Sequence, residues 1–256
     1  MYALDTRRRT LDLVAQGLSL NSVSKQTGIS RAAIRSWLSR IEPLPRIQGH
    51  AECPRCAHAP APPADPANYA YLLGLYLGDG CISRHRGKDG YYLRIACADA
   101  WPGLIDECRK TIMTLQPAGT VYLAQQQGCV AVTSYSRHWP CRFPQHGPGK
   151  KHTRPIVLQP WQQEILDCHP WEFIRGLIHS DGCRVTKWAT RRVGEEQRRY
   201  EYPRYFFTNL SSDITDLFTG SLDHVGVQWK QANARNISVA RRASVALMDA
   251  HVGPKY

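Results

Sequence analysis

Two aspartates in this chain stand in matching surroundings. Asp79 lies in "YLLGLYLGDGCIS" (71–83) and Asp181 in "FIRGLIHSDGCRV" (173–185), each closing an apolar run and each followed by Gly-Cys. An acid in the last turn of a helix opposes the macrodipole by roughly 0.3–1 kcal/mol, and an interior glycine costs about 1 kcal/mol relative to alanine. Something outside the helix must offset these costs, and a cation beside Asp79 is the simplest candidate. Hard carboxylate oxygens next to phosphates recruit Mg2+, which binds through one or two carboxylates plus substrate oxygens. Such a pair could hold an attacking water and stabilise the leaving oxygen of an in-line displacement.

Helices must bring these acids together. Gly74 and Gly78 are four apart, on one face, where missing side chains let a second backbone approach. Aligned on the acid, Gly176 matches Gly74, Ser180 matches Gly78, Gly182 matches Gly80 and Cys183 matches Cys81. The two acids are 102 residues apart, the size of a small half-domain, so the chain reads as an internal duplication. Gly80 is expected to end its helix as a residue that tolerates positive φ.

Both stretches resemble the LAGLIDADG motif of homing endonucleases, in the two-motif single-chain form. The chain departs from that pattern at Leu77 and His179, where an acid is common, and at Arg175, where a small residue is usual. The resemblance implies an α+β fold of two pseudo-symmetric αββαββα half-domains that form a DNA-binding saddle, with the motif helices at the interface through Gly74, Gly78, Gly176 and Ser180. It implies that Asp79 and Asp181 bind divalent metal, Mg2+ by expectation, and each serve the cleavage of one strand. It also implies a basic residue near the scissile phosphates, for which Lys230 is the second-half candidate; the matching first-half stretch offers Gln125 to Gln127 and no lysine.

The remaining pattern has the order such halves require. Strands are predicted over 91–98, 120–125 and 129–136, with a helix over 99–115 capped by Asp99. The second half repeats this with strands over 184–192 and 198–209, a helix capped near Ser211 or Ser212 and running to His224, strands over 228–233 and 236–240, and a helix over 241–251. The halves span 69–142 and 170–256; the connection, 143–169, holds a Pro- and Gly-rich loop and a short helix over 160–168. Lys150-Lys151-His152 in that loop lacks the glycine and the Ser/Thr of a phosphate-binding loop, so no nucleotide site is read there.

Residues 1–41 read as a separate all-α unit: a helix stopped at Gly17, a second from Leu20 to Thr27, a turn at Gly28-Ile29, and a third helix capped by Ser30 and running to Arg40. The pattern resembles a helix-turn-helix domain, in which Arg31, Arg35 and Ser36 would face DNA while Ile34, Trp37 and Leu38 hold the core. Docking of this unit on protein is the alternative. Residues 42–68 form a Pro- and Ala-rich linker carrying Cys53-x-x-Cys56 between His50 and His58. That cluster is a candidate Zn2+ site, or simply unpaired thiols.

Two further segments interleave basic and aromatic residues at strand spacing: Arg84, Arg86, Lys88 and Arg94 in one, and Lys187, Arg191, Arg192, Arg198, Arg199 and Arg204 in the other. Alternate strand residues share a face, so each half could offer a basic stripe to a phosphate backbone. The net charge of +12 and pI near 9.4 suit a polyanionic partner. The sequence has no run of 18 apolar residues and no apolar signal core near Met1, so no membrane partner is expected. Nine cysteines, an odd number without framework spacing, suit a reduced cytoplasmic, nucleoid-associated protein. Both motifs in one chain imply a monomer. Three functions follow: a site-specific double-stranded DNA endonuclease, a transcriptional regulator that no longer cuts, and an RNA-binding maturase, for which the sequence has no particular sign.

Overall fold

The computed structural model describes residues 2–39, 41–42, 63–85, 87, 89–194 and 196–256. Cys53, Cys56, His50, His58, Arg86 and Lys88, together with most of the linker, lie outside the described residues. The chain divides into two units, 1–53 and 54–256.

In the first unit, three helices, α1 (Leu4–Ala15), α2 (Leu20–Thr27) and α3 (Arg31–Ser39), follow the expected order. Ser19 caps α2 by accepting from the Ser22 amide at 3.2 Å, and Gly28 closes it at φ +69°, a left-handed conformation that favours glycine. Ser30 Oγ accepts from the Ala33 amide at 3.3 Å. Val23, Ile29, Ile34 and Trp37 form the core, and each such apolar side chain contributes about 1.5–3 kcal/mol by leaving water. Leu38 does not join them: it is 54% exposed, because the step from Trp37 carries it round to the outer face of α3. Arg7 is buried against the Trp37 ring and donates to the Ile41 carbonyl oxygen at 3.0 Å.

The second unit runs α4 (Pro66–Asp79), β1 (Gly80–Arg84), β2 (Tyr91–Ala98), α5 (Pro102–Leu115), β3 (Val121–Gln126), β4 (Cys129–Ser136) and α6 (Trp139–Arg142). After α7 (Pro160–Cys168) the pattern repeats: α8 (Pro170–Asp181), β5 (Gly182–Val193), β6 (Glu196–Thr208), α9 (Ser212–His224), β7 (Lys230–Asn233), β8 (Asn236–Val239) and α10 (Arg242–His251). Each half is thus αββαββα, with antiparallel sheets ordered β1-β2-β4-β3 and β5-β6-β8-β7. Pro66, Pro102, Pro160 and Pro170 each open a helix, where their missing N–H costs nothing. Strand β1 and the short α6 fill places in the αββαββα order that the resemblance implied and for which periodicity gave no bounds. Asp99 does not cap α5; the helix starts three residues later at Pro102, because proline sets the helical φ there. Among the described residues no helix is long and apolar enough to cross a membrane.

One core serves both halves. Tyr69 to Leu77 of α4 and Phe173, Ile174, Leu177 and Ile178 of α8 are buried together with the inner faces of both sheets. The outer helices are more permissive. Gly220 sits inside α9 with open space where a Cβ would be. Gly220→Ala is therefore expected to stabilise the fold by about 0.5–1 kcal/mol through helix propensity, read as a raised midpoint in urea unfolding.

Candidate active site

The motif helices meet backbone to backbone. A Cβ on Gly74 would lie 2.6 Å from the Phe173 carbonyl oxygen and 2.8 Å from the Leu177 amide nitrogen. One on Gly176 would overlap the Tyr71 carbonyl oxygen, and one on Gly78 would overlap the Ser180 hydroxyl. Ser180 Oγ instead turns back onto its own helix, donating to the Gly176 or Leu177 carbonyl oxygen at 3.0 Å.

The departures from the motif pattern have partners across this interface. His179 Nδ1 and the Tyr71 hydroxyl lie 2.9 Å apart, and burial holds the imidazole's pKa down to about 3, so it is neutral at pH 7. Arg175 pairs with Glu107 of α5 and covers the Tyr71 ring. Leu77 is fully buried.

Gly80 is required for a different reason from the one expected, and Gly182 shares it. Gly80 has φ −89° and Gly182 −105°, ordinary extended backbone. A Cβ on Gly80 would strike Tyr76 Cα at 2.5 Å, and one on Gly182 Ile178 Cα at 2.7 Å. The chain turns from helix into strand so tightly that no side chain fits.

This turn leaves Asp79 exposed and Asp181 half-buried at adjacent helix ends. Burial, then the nearby charge of Asp79, pushes the Asp181 carboxyl up to about 6. Desolvation by the surrounding protein also raises Asp79, although its side chain reaches solvent. The Asn209 side-chain amide donates to Asp181 Oδ2 at 2.6 Å, holding one oxygen in place.

Two lysines missed by the sequence reading supply the expected cation. Lys151 Nζ donates to the carbonyl oxygens of Tyr76, Gly78 and Gly80 at 2.5, 2.6 and 2.8 Å. Lys255 Nζ lies 3.3 Å from the Ser180 carbonyl oxygen. Each acts on both acids, and burial lowers both, Lys151 to about 8. Their signal was spacing within the duplication: Lys151 follows Asp79 by 72 residues and Lys255 follows Asp181 by 74. Exposed Cys81 and Cys183 stand near Lys151 and Lys255 respectively.

Asp181, Asn209, Lys151 and Cys81 line one cleft of about 430 Å3, and Asp79, Ser180 and Lys255 line another. Lys230 is in neither; it lies exposed on β7 in a separate cleft with Asp223, Trp229 and Arg241. Among the described residues no three His, Cys, Asp or Glu side chains gather as a metal cage. The hard oxygen donors here, two carboxylates beside main-chain carbonyls, suit Mg2+ when phosphate oxygens and water complete its shell.

The basic stripes divide by strand register. In the first sheet Arg94 shares the helix-free face with Tyr92, Tyr122, Thr133 and Tyr135, stacks on Tyr92 and bonds Ser83. Arg84 is in register with Tyr91 and Ser136, on the opposite face. In the second sheet β5 and β6 run past β8 as a two-stranded ribbon. Lys187, Arg191, Arg198 and Arg204 share its helix-free face with Tyr200 and Tyr202, whereas Arg192 and Arg199 fall on the other. The one-residue alternation of a strand accounts for both exceptions. In the N-terminal unit Arg31, Arg35 and Ser36 are exposed on α3.

No protein-family model matches this chain, and no curated protein matches it. Similar solved structures include the LAGLIDADG meganuclease I-AabMI bound to uncleaved DNA, 11% identical over 73% of this chain and 82% of that one, TM-score 0.46. I-DmoI in complex with DNA and Mn is 14% identical over 75% and 99%, TM-score 0.47. Full-length DUF199/WhiA from Thermatoga maritima is 12% identical over 74% and 56%, TM-score 0.42.

Proposed function

We propose that this chain is a site-specific endonuclease of duplex DNA that hydrolyses phosphodiesters with one acid from each motif. The observation that carries the reading is the pairing of Asp79 and Asp181 at adjacent helix ends, each in a cleft with a lysine, in a unit whose two sheets hold basic, aromatic faces. Asp79 and Asp181 would hold Mg2+, whose chemistry when bound is to activate water and to stabilise the leaving 3′ oxygen. The protein's own groups bind, orient and neutralise. Asn209 fixes one oxygen of Asp181, while Lys151 and Lys255 bring positive charge to the place where phosphate must approach. The helix-free faces hold the backbone, and Arg31, Arg35 and Ser36 of α3 add contacts in a major groove.

The test is selection of a bound site from a randomised duplex library, followed by incubation of that site with Mg2+ or Mn2+. Nicking and double-strand cutting support the reading. Tight binding without cutting in either metal would transfer it to the second reading, a regulator that binds and does not cut. The three-helix N-terminal unit favours that alternative, since it offers a reader independent of the acids.

Neutralising one of Lys187, Arg191, Arg198 or Arg204 is expected to lower the slope of log Kd against log salt by about 1, with little change in sequence preference, as for a phosphate contact. Arg192→Gln, on the other face of the ribbon, is expected to change the slope less. A salt titration by fluorescence anisotropy on the selected site separates the two.

A further inference from the structure

We propose that Lys151 is a resident counter-ion: its ammonium occupies the cation position at the end of α4 in the DNA-free protein, and a divalent metal binds there only by displacing it. This rests on the metal-dependent reading above and adds a condition to it.

An ammonium has three donors, and Lys151 places all three on the Tyr76, Gly78 and Gly80 carbonyl oxygens. Tyr76 and Gly78 lie in the last turn of α4 and Gly80 is its cap, donating its own amide to the Tyr76 oxygen, so the three carbonyls mark the negative end of the helix. The same ammonium faces the Tyr76 ring at 5.2 Å and lines the cleft that holds Asp181. A hydrated metal and an ammonium cannot share that position, by volume and by charge.

The loop that delivers Lys151 is built for a fixed position. Arg154 donates to the Gln145 carbonyl oxygen at 3.1 and 3.2 Å and to that of Gly149 at 2.8 Å. The Ile156 amide donates to Asp213 Oδ2 at 2.7 Å, tying the loop to α9. The other half has a looser counterpart: Lys255 reaches the Ser180 carbonyl oxygen at 3.3 Å, against 2.5 to 2.8 Å for the bonds of Lys151. A DNA phosphate offers Lys151 a second acceptor, so displacement is coupled to DNA arrival and the free protein resists metal loading.

The test is Mn2+ binding to the DNA-free full chain, read by the electron paramagnetic resonance signal of free Mn2+. Lys151→Met is expected to bind Mn2+ about tenfold more tightly than wild type, since a like charge a few ångströms away is removed. Lys255→Met should give a smaller gain, and Asp181→Asn should remove the gain from Lys151→Met. Acylation of Lys151 in the unaltered protein, read by mass spectrometry, gives a second measure that survives any folding defect of the variant: it should be slow alone and accelerate as Mn2+ saturates. Equal, acid-dependent Mn2+ affinity with and without Lys151, or acylation indifferent to Mn2+, would overturn the counter-ion and leave the nuclease reading standing. Absence of acid-dependent Mn2+ binding in every variant, with DNA present as well, would overturn both.

Discussion

Asp181→Asn is expected to reduce cutting of one DNA strand by about a hundredfold or more, the scale of losing a group aimed at developing charge, and so to turn a double-strand cutter into a nicking enzyme. Asp79→Asn should do the same to the other strand, and the double variant should leave plasmid DNA supercoiled. Agarose separation of supercoiled, nicked and linear forms reads all three outcomes. Equal linearisation by Asp181→Asn and wild type would remove the acid from the chemistry.

The same substitution carries a stability signature of opposite sign. The folded-state pKa of Asp181 is about 6, above its ordinary 3.8, so the folded protein prefers the protonated carboxyl. The stability linked to this group is fully present below pH 3.8 and lost as pH rises through 6. At pH 7 the charged form is held against its preference, and neutral Asn should leave the protein as stable or more so. Metal loading, and cutting with it, should weaken as pH falls, because protons compete with the metal for the Asp181 carboxylate. A variant that gains stability while losing cutting marks a site kept for function.

The second large effect is structural. Gly176→Val is expected to abolish the folded second unit or cost it at least about 3 kcal/mol, the upper range for overpacking. The atoms a new side chain would meet are the Tyr71 carbonyl, Gly74 Cα and the Leu75 amide nitrogen, and backbone atoms cannot rotate aside as a side chain can. Circular dichroism melting would show a lost or much lowered transition for the second unit. A near wild-type melt would mean that the helices do not pack at this distance.

Much of this protein was legible because its signals are local or repeated. The Gly-x-x-x-small faces and terminal Asp-Gly of 71–83 and 173–185 marked a duplication, and hence two equivalent helices. Periodicity placed β2, β4, α2 and α7 at their observed bounds, since these elements are set by burial patterns and by punctuation such as Pro160 and Gly28. What escaped was of another kind. Lys151 lies far along the chain from the carbonyls it bonds, so no window of sequence contains both. Lys230 has the residue type and strand context of a site lysine, yet register and loop path put it in another cleft. Arg84 and Arg192 differ from Arg94 and Arg191 only in strand parity, which pairing alone reveals. Leu38 is apolar beside two core residues and still points outward, because helix phase outranks composition. The sequence by itself determined the motif pair, the acids and the order of elements, all written in neighbours a few residues apart. The tertiary structure decided which charges meet those acids, because long-range electrostatics depends on distance through space and not on distance along the chain.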